Sequence, residues 1–378
     1  MNNRTHKIKS PEISGEMDRI IDKLLNAIAM RMRSHGNDNG LEIDFGDLMA
    51  HYTTDVVFSC FYGQRDQISF DEGKRSEHII NAEIGFDAMT SKIVELAKMQ
   101  PSLAPLFEFI ASNFHPAGKT RRTLVDFIKK QTKLNLEARK LRLEGTNSIN
   151  NEQSLHSAQK RCIVDTFIDG FHEGKLTYDE YVNSSFFFYF AASKTTTDGI
   201  SLTVYFLAKH TDVQDKLRES ILKDGTESEY LGWCINESMR LQPPSLAGCA
   251  RTLTADLEFN GLTLPKGTLV TTPAYTIHRL REYWGPDANA FRPERFEDAK
   301  NFHPFQFIPF GAGKRSCPGK EFAMFEARKT LVALVTRYKF EFCDRTNDAL
   351  LFRAPFAIMT IYEDPIYLRL RQIKQSPP

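Results

Sequence analysis

Apolar residues recur at Met17, Ile20, Ile21, Leu24, Leu25 and Ile28, the spacing of one buried stripe, which predicts a helix running from about Met17. Asp44 to Tyr62, less regular and rich in aromatics, reads as a second helix. Further on, Leu103, Leu106, Phe107, Phe109, Ile110 and Phe114 form an apolar patch, and a charged stretch of helical character follows from about Lys119 to Arg142. That pair reads either as core beside a solvated face or as a surface dipping into a bilayer interface. Glu144 to Ser157, rich in Asn, Ser and Glu, reads as a loop or linker. Thr177-x-x-Glu180 is a capping box, and the helical pattern behind it continues to about His210, roughly 45–50 Å at 1.5 Å per residue. Its middle, Ser193 to Gly199, is a cluster of poor helix formers. Hydroxyls there compete for backbone carbonyls and are expected to loosen the turn. Such disagreement between local sequence and overall pattern is where function is expected.

The period changes after Arg251. Leu257-Glu258-Phe259 and Leu262-Thr263-Leu264 alternate about Asn260-Gly261, which predicts a hairpin with a type I′ turn. A second alternating stretch, Ala357 to Leu370, is interrupted by Glu363-Asp364-Pro365. The fold class is therefore mainly α with small β-sheets (α+β), and no internal repeat is visible.

Composition narrows the function. The 378 residues carry 49 Lys plus Arg against 48 Asp plus Glu, so no global charge favours nucleic acid. Phe is abundant, 29 against 12 Tyr and 2 Trp, which suits a large apolar interior or a pocket for an apolar cofactor. The cysteines, Cys60, Cys162, Cys234, Cys249, Cys317 and Cys343, show neither a CxxC pair nor a disulfide framework. No run of about 18 apolar residues occurs, so neither a membrane span nor an anchor is visible.

The most informative run is Phe310-Gly311-Ala312-Gly313-Lys314-Arg315-Ser316-Cys317-Pro318-Gly319. Its glycines allow a tight backbone turn, Pro318 suits the start of a helix, and Lys320 to Tyr338 is patterned as that helix, with Phe322, Phe325, Leu331 and Leu334 apolar. Cys317 is thus expected at a helix N-terminus, where amides and the helix dipole favour a thiolate beside the Arg315 cation.

F-G-x-G-x-R-x-C-x-G resembles the haem-binding signature of the cytochrome P450 family and matches it completely. The resemblance implies Cys317 as axial ligand to the iron of haem b, Phe310 on the sulfur side with Gly311 and Gly319 shaping the turn, and Arg315 toward a haem propionate. Other segments agree. Glu237-Ser238-Met239-Arg240 matches the family's E-x-x-R, a pair sharing one helix face, and Arg295 in Pro293-Glu294-Arg295-Phe296 would close that network. Arg251 occupies the place of a further propionate-binding arginine, and His278 resembles a position near the haem edge. Ala191-Ala192-Ser193-Lys194-Thr195-Thr196 resembles the distal-helix pattern. There Ala191 and Ala192 would leave room for dioxygen, and Thr195 is the alcohol that helps deliver protons.

Two departures qualify this. Lys194 stands where the family has an acid, and a buried lysine must deprotonate or pair with an anion, which puts the usual proton route in doubt. The family's W-x-x-x-R segment is absent, since neither Trp233 nor Trp284 has an arginine four residues later. On this resemblance the chain is expected to begin where that segment would just have ended. The resemblance thus implies a P450 fold lacking its N-terminal anchor, first strands and front helices, and is nearest to animal microsomal members. It implies one domain over 1–378, with front helices and a membrane-facing segment in 1–150, the long distal helix in 176–210, and the haem-binding and sheet region in 237–378.

The activity implied is that of a haem-thiolate monooxygenase. It uses O2 and electrons from NADPH through NADPH-cytochrome P450 reductase to oxidise a small apolar substrate at the cytosolic face of the endoplasmic reticulum membrane. Lys314, Lys320, Arg328 and Lys329 would form a basic docking face or merely a solvated one. Two alternatives stand beside it: a haem-binding fragment or pseudoenzyme with little oxygenase activity, and a haem-thiolate isomerase acting on an oxygenated lipid. The identity of the substrate is not encoded legibly.

Overall fold

The computed structural model describes residues 10–35, 40–66, 68–71, 74–80, scattered positions between 126 and 140, 162–246, 250–350 and 364–373. The Leu103–Phe114 patch and the Glu144–Ser157 linker lie outside the described residues. In chain order the described elements begin with α1 (Pro11–His35), β1 (Leu41–Asp44), α2 (Phe45–Val56) and a π-helical turn at Val57–Phe61. Then come α3 (Asp165–His172), α4 (Tyr178–Lys209), α5 (Thr211–Asp224) and α6 (Glu229–Leu241). Short strands β2 (Arg251–Thr252), β3 (Leu257–Phe259), β4 (Leu262–Leu264) and β5 (Leu269–Val270) precede the one-turn helices α7 (Ala274–Ile277) and α8 (Arg281–Trp284). A 3₁₀ segment at Pro293–Asn301, α9 (Lys320–Val335), β6 (Tyr338–Glu341) and β7 (Tyr367–Gln372) complete them. The fold is mainly helical with small antiparallel sheets.

Two compact units divide the chain, one formed by Met1–Ala29 with Leu48–Lys194, the other by Met30–Asp47 with Thr195–Pro378. In the first, α1 buries Met17, Ile20, Ile21, Leu24 and Ile28, the predicted stripe without Leu25. Lys23 of α1 meets the buried Asp55 of α2 at 2.7 Å. The capping box is present: the Thr177 amide donates to Glu180 Oε2 at 2.8 Å and the Glu180 amide to Thr177 Oγ1 at 3.2 Å. The π-helical turn is followed by Tyr62, whose hydroxyl donates to the Ser185 carbonyl at 2.6 Å. Thr54 and Ser193 share a hydrogen bond of 2.8 Å.

In the second unit the sheet order is β1-β7-β6, antiparallel throughout, with Leu370 opposite both Leu41 and Phe340. Gln214 of α5 is buried beside β6: its amide donates to the carbonyls of Leu207 and Phe340, and its oxygen accepts the Phe340 amide, all at 2.9 Å. One side chain thereby satisfies backbone groups that would otherwise be costly to bury. The predicted hairpin forms between β3 and β4, with positive φ at Asn260 (48°) and Gly261 (78°) as a type I′ turn requires.

Several boundaries differ from the sequence reading. The predicted Asp44–Tyr62 helix starts at Phe45, because Leu41–Asp44 pairs with β7 as a strand, and its end widens into the π-helical turn. The helix predicted over Lys320–Tyr338 stops at Val335, and Tyr338 begins β6. The strand predicted to end at Leu370 runs on to Gln372. The helix α4 spans 32 residues, about 48 Å at 1.5 Å per residue, and stays helical through Ser193–Gly199, where a loosened turn was expected.

Candidate cofactor site

The site is built outward from a buried ionic cluster in the second unit. Ser228 caps α6, its hydroxyl accepting the Leu231 amide at 3.0 Å. One turn separates Glu237 and Arg240, and both are 0 % exposed. Arg240 Nε donates to Glu237 Oε2 at 2.6 Å, and Nη2 donates to Oε1 at 2.8 Å. Its remaining donors reach the carbonyls of His278 (2.8 Å), Ala288 (2.6 Å) and Ala290 (3.1 Å). Arg295, from the 3₁₀ segment, gives Nε to Glu237 Oε1 at 3.2 Å and Nη1 to the Trp284 carbonyl and Asp287 Oδ1, each at 3.0 Å. Glu237 also accepts the Arg292 amide at 2.9 Å. Two charges opposite one carboxylate would be costly to bury, and these carbonyls and Asp287 supply the compensation. The structure thus joins Glu237, Arg240 and Arg295, and adds Asp287, for which the sequence held no distinguishing signal. The cluster ties together α6, the residue after α7, the end of α8 and the 3₁₀ segment.

The Cys317 loop is shaped by local backbone bonds. The Gly311 amide donates to the Ile308 carbonyl at 3.0 Å, and Gly311 and Gly313 hold φ of 68° and 72°, which L side chains adopt only under strain. A 3₁₀ turn at Gly313–Arg315 follows, and the Cys317 amide returns to the Phe310 carbonyl at 2.8 Å. Helix α9 starts at Lys320 with Gly319 as its N-cap. Cys317 therefore lies two residues before the cap and Pro318 one, not at the helix start, because the loop's own turn holds both outside the helix.

His278 is 0 % exposed, and its Nε2 accepts the Ile308 amide at 2.9 Å. Burial, aided by Arg240 and Arg279, lowers its pKa to about 3, so the ring is neutral. Arg251 and Arg315 are exposed, Arg251 donating to the Ala250 carbonyl at 2.6 Å. Thr195, Ala191 and Ala192 are half-buried on α4, and so is Lys194, where a buried lysine was anticipated. Of the four basic docking candidates, Lys314 and Lys320 are exposed and Lys329 lies over the Phe325 ring. Arg328 instead donates to the carbonyls of Thr226 (2.7 Å) and Ser228 (3.0 Å), packed where Gly232 has no side chain. Its part in a docking face is thus replaced by an internal one, legible only once α6 and α9 are side by side.

These residues suit an iron porphyrin. Cys60, Cys162, Cys234 and Cys343 are buried, and burial pushes the Cys234 thiol well up; Cys317 is exposed. A Cβ on Gly319 would sit 3.8 Å from Cys317 Sγ, so the glycine leaves that flank of the sulfur uncovered. Among the described residues no three His, Cys, Asp or Glu side chains converge on a common point for a metal. A haem brings its own nitrogen ligands, so Cys317 is the one protein ligand that such a group asks of this loop. Among the described residues no helix is long and apolar enough to cross a membrane.

The sequence pattern of the family described as Cytochrome P450 matches residues 3–368. Cytochrome P450 3A9 of Rattus norvegicus is 28% identical over 347 residues, 88% of this chain and 65% of that protein. Cytochrome P450 3A12 of Canis lupus familiaris is 30% identical over 372 residues, 94% of this chain and 70% of that protein. The chain thus spans about two thirds of the length of the relatives it matches.

Proposed function

Because the chain belongs to the cytochrome P450 family, we propose that it holds haem b through Cys317 and acts as a monooxygenase on a small apolar molecule. The other reactants are O2 and electrons from NADPH delivered by a reductase, at the cytosolic face of the endoplasmic reticulum membrane. When bound, the haem supplies the redox chemistry, with the thiolate favouring O–O cleavage. The observation that carries the reading is the exposed Cys317 at the end of a turn set by Gly311 and Gly313.

The chain's own residues take separate parts. The Cys317 amide is bonded to the Phe310 carbonyl, which fixes the backbone from which the sulfur projects. Arg315 and Arg251, both exposed, are suited to charge-assisted bonds with the two carboxylates. Thr195 offers a hydroxyl for proton delivery on α4, and Ala191 and Ala192 limit side-chain bulk on the same helix. Glu237, Arg240 and Arg295, all buried, take a structural part and hold the surrounding segments together. The test is haem titration of the purified chain: one equivalent taken up by the wild type and lost in Cys317→Ala supports the reading, and equal uptake by both overturns it.

A further inference from the structure

A hydrogen-bonded route from the buried cluster to the Cys317 loop runs through one residue, His278. Arg240 Nη1 donates to the His278 carbonyl at 2.8 Å, and the ring of the same residue accepts the Ile308 amide at 2.9 Å. From Ile308 the bonding passes directly into the loop: its carbonyl accepts the Gly311 amide at 3.0 Å, and the carbonyl of Phe310 accepts that of Cys317 at 2.8 Å. His278 is 0 % exposed, with Phe307 against it at 5.2 Å between ring centroids.

We propose that His278 is a positioning residue, its Nε2 suspending the Cys317 loop from the Glu237–Arg240–Arg295 cluster. An amide donating to Nε2 requires that nitrogen to carry no proton, which puts the ring hydrogen on Nδ1. The backbone oxygens of Met239 and Arg240, at the end of α6, favour a proton on this ring. Its Nδ1 is buried on the side of those oxygens, while Nε2 holds the Ile308 amide. A helix end, an arginine and a neutral imidazole thus fix where the loop leaves the core. With Nε2 bonded to the Ile308 amide and the whole side chain buried, His278 acts through the loop. This inference rests on Cys317 being the haem ligand only for its effect on the iron; its effect on the loop is independent of haem.

The experiment compares wild type, His278→Gln, His278→Phe and, as a control for lost stability, Leu331→Ala in the buried face of α9. Gln places an acceptor near the Nε2 position, whereas Phe keeps the ring and removes the acceptor. Two readouts are taken on the full chain: hydrogen exchange of the Ile308 amide without haem, and the share of red-shifted thiolate-carbonyl Soret band after haem loading and reduction. In His278→Phe, Ile308 should exchange about tenfold faster, the equivalent of one lost hydrogen bond, and the thiolate share should fall. Gln should restore both, and Leu331→Ala should leave the thiolate share unchanged. Wild-type values for both readouts in His278→Phe, or equal losses in Gln and Phe, would overturn the proposal. If His278→Phe does not fold, His278→Asn takes its place, since its shorter amide cannot reach Ile308. Equal behaviour of Asn and Gln would then contradict the proposal. Failure of the wild type to take up haem would sink the cofactor reading, while the exchange readout still decides the role of His278.

Discussion

Arg240 and Glu237 meet at two points, Nε to Oε2 at 2.6 Å and Nη2 to Oε1 at 2.8 Å, with neither side chain exposed. Removing one member leaves the other charged and buried. Arg240→Ala and Glu237→Ala should each lower unfolding free energy by about 3–5 kcal/mol. The double variant should cost less than the sum, since neither Glu237 nor Arg240 is then left buried without the other, although Arg295 still loses its Glu237 contact. Urea unfolding of the four proteins checks this, and additive losses would show that the pair is not coupled.

Acid stability should depend on His278. Burial and two neighbouring arginines hold its pKa near 3, below the ordinary 6.5, so between those values the unfolded chain binds the extra proton. Stability then rises with pH through this window and is lost as pH falls from 6.5 toward 3. His278→Gln should flatten that limb, leaving the similar contribution of His78, whose pKa burial lowers to about 4. Glu326 acts with the opposite sign. Burial alone raises its carboxyl well above 4.5, so the folded chain keeps a proton the unfolded chain releases, and stability falls as pH rises above 4.5. Glu326→Gln should remove that decline. Unfolding midpoints taken from pH 4 to 8 separate the two, and unchanged slopes in both variants would contradict the assignments.

Arg328 and Gly232 are packed so closely that a methyl group on Gly232 would meet Nη2 inside contact distance, with Cζ at 3.5 Å. Gly232→Ala should therefore displace the guanidinium from the Thr226 and Ser228 carbonyls and cost about 1–3 kcal/mol. In an Arg328→Ala background the same substitution should be nearly neutral. Thermal unfolding of the single and double variants decides between this and a simple loss of flexibility.

The proton route on α4 is tested by coupling rather than by stability. Under the proposed monooxygenase reading, Thr195→Ala should raise peroxide formed per NADPH oxidised, and Lys194→Glu, restoring an acid beside Thr195, should lower it. Unaltered peroxide yield in either variant would remove that residue from proton delivery.

What the sequence disclosed was local chemistry. Asn260-Gly261 specifies its turn through positive φ alone, Thr177 and Glu180 cap a helix within one turn, and Glu237 and Arg240 share a face at i and i+3. What it concealed depends on partners distant in the chain. Leu41–Asp44 is a strand only because Tyr367–Gln372 lies beside it, so Leu41–Ile43 carried no sign of it and Asp44 merged with the following helix pattern. Asp287 and the ring of His278 acquire their parts from Arg295 and Ile308, and Arg328 from a glycine on another helix. The start of α9 at Lys320 was legible, but Pro318 suits a first turn as well as the end of a loop, so Cys317 and Pro318 read as part of the helix start.

Cys317 as thiolate ligand is tested most directly by the Soret band of the haem-loaded, reduced chain under carbon monoxide. A red-shifted thiolate-carbonyl band in the wild type that disappears in Cys317→Ala is the predicted result. The same band in both proteins, or its absence from a haem-loaded wild type, would contradict the account.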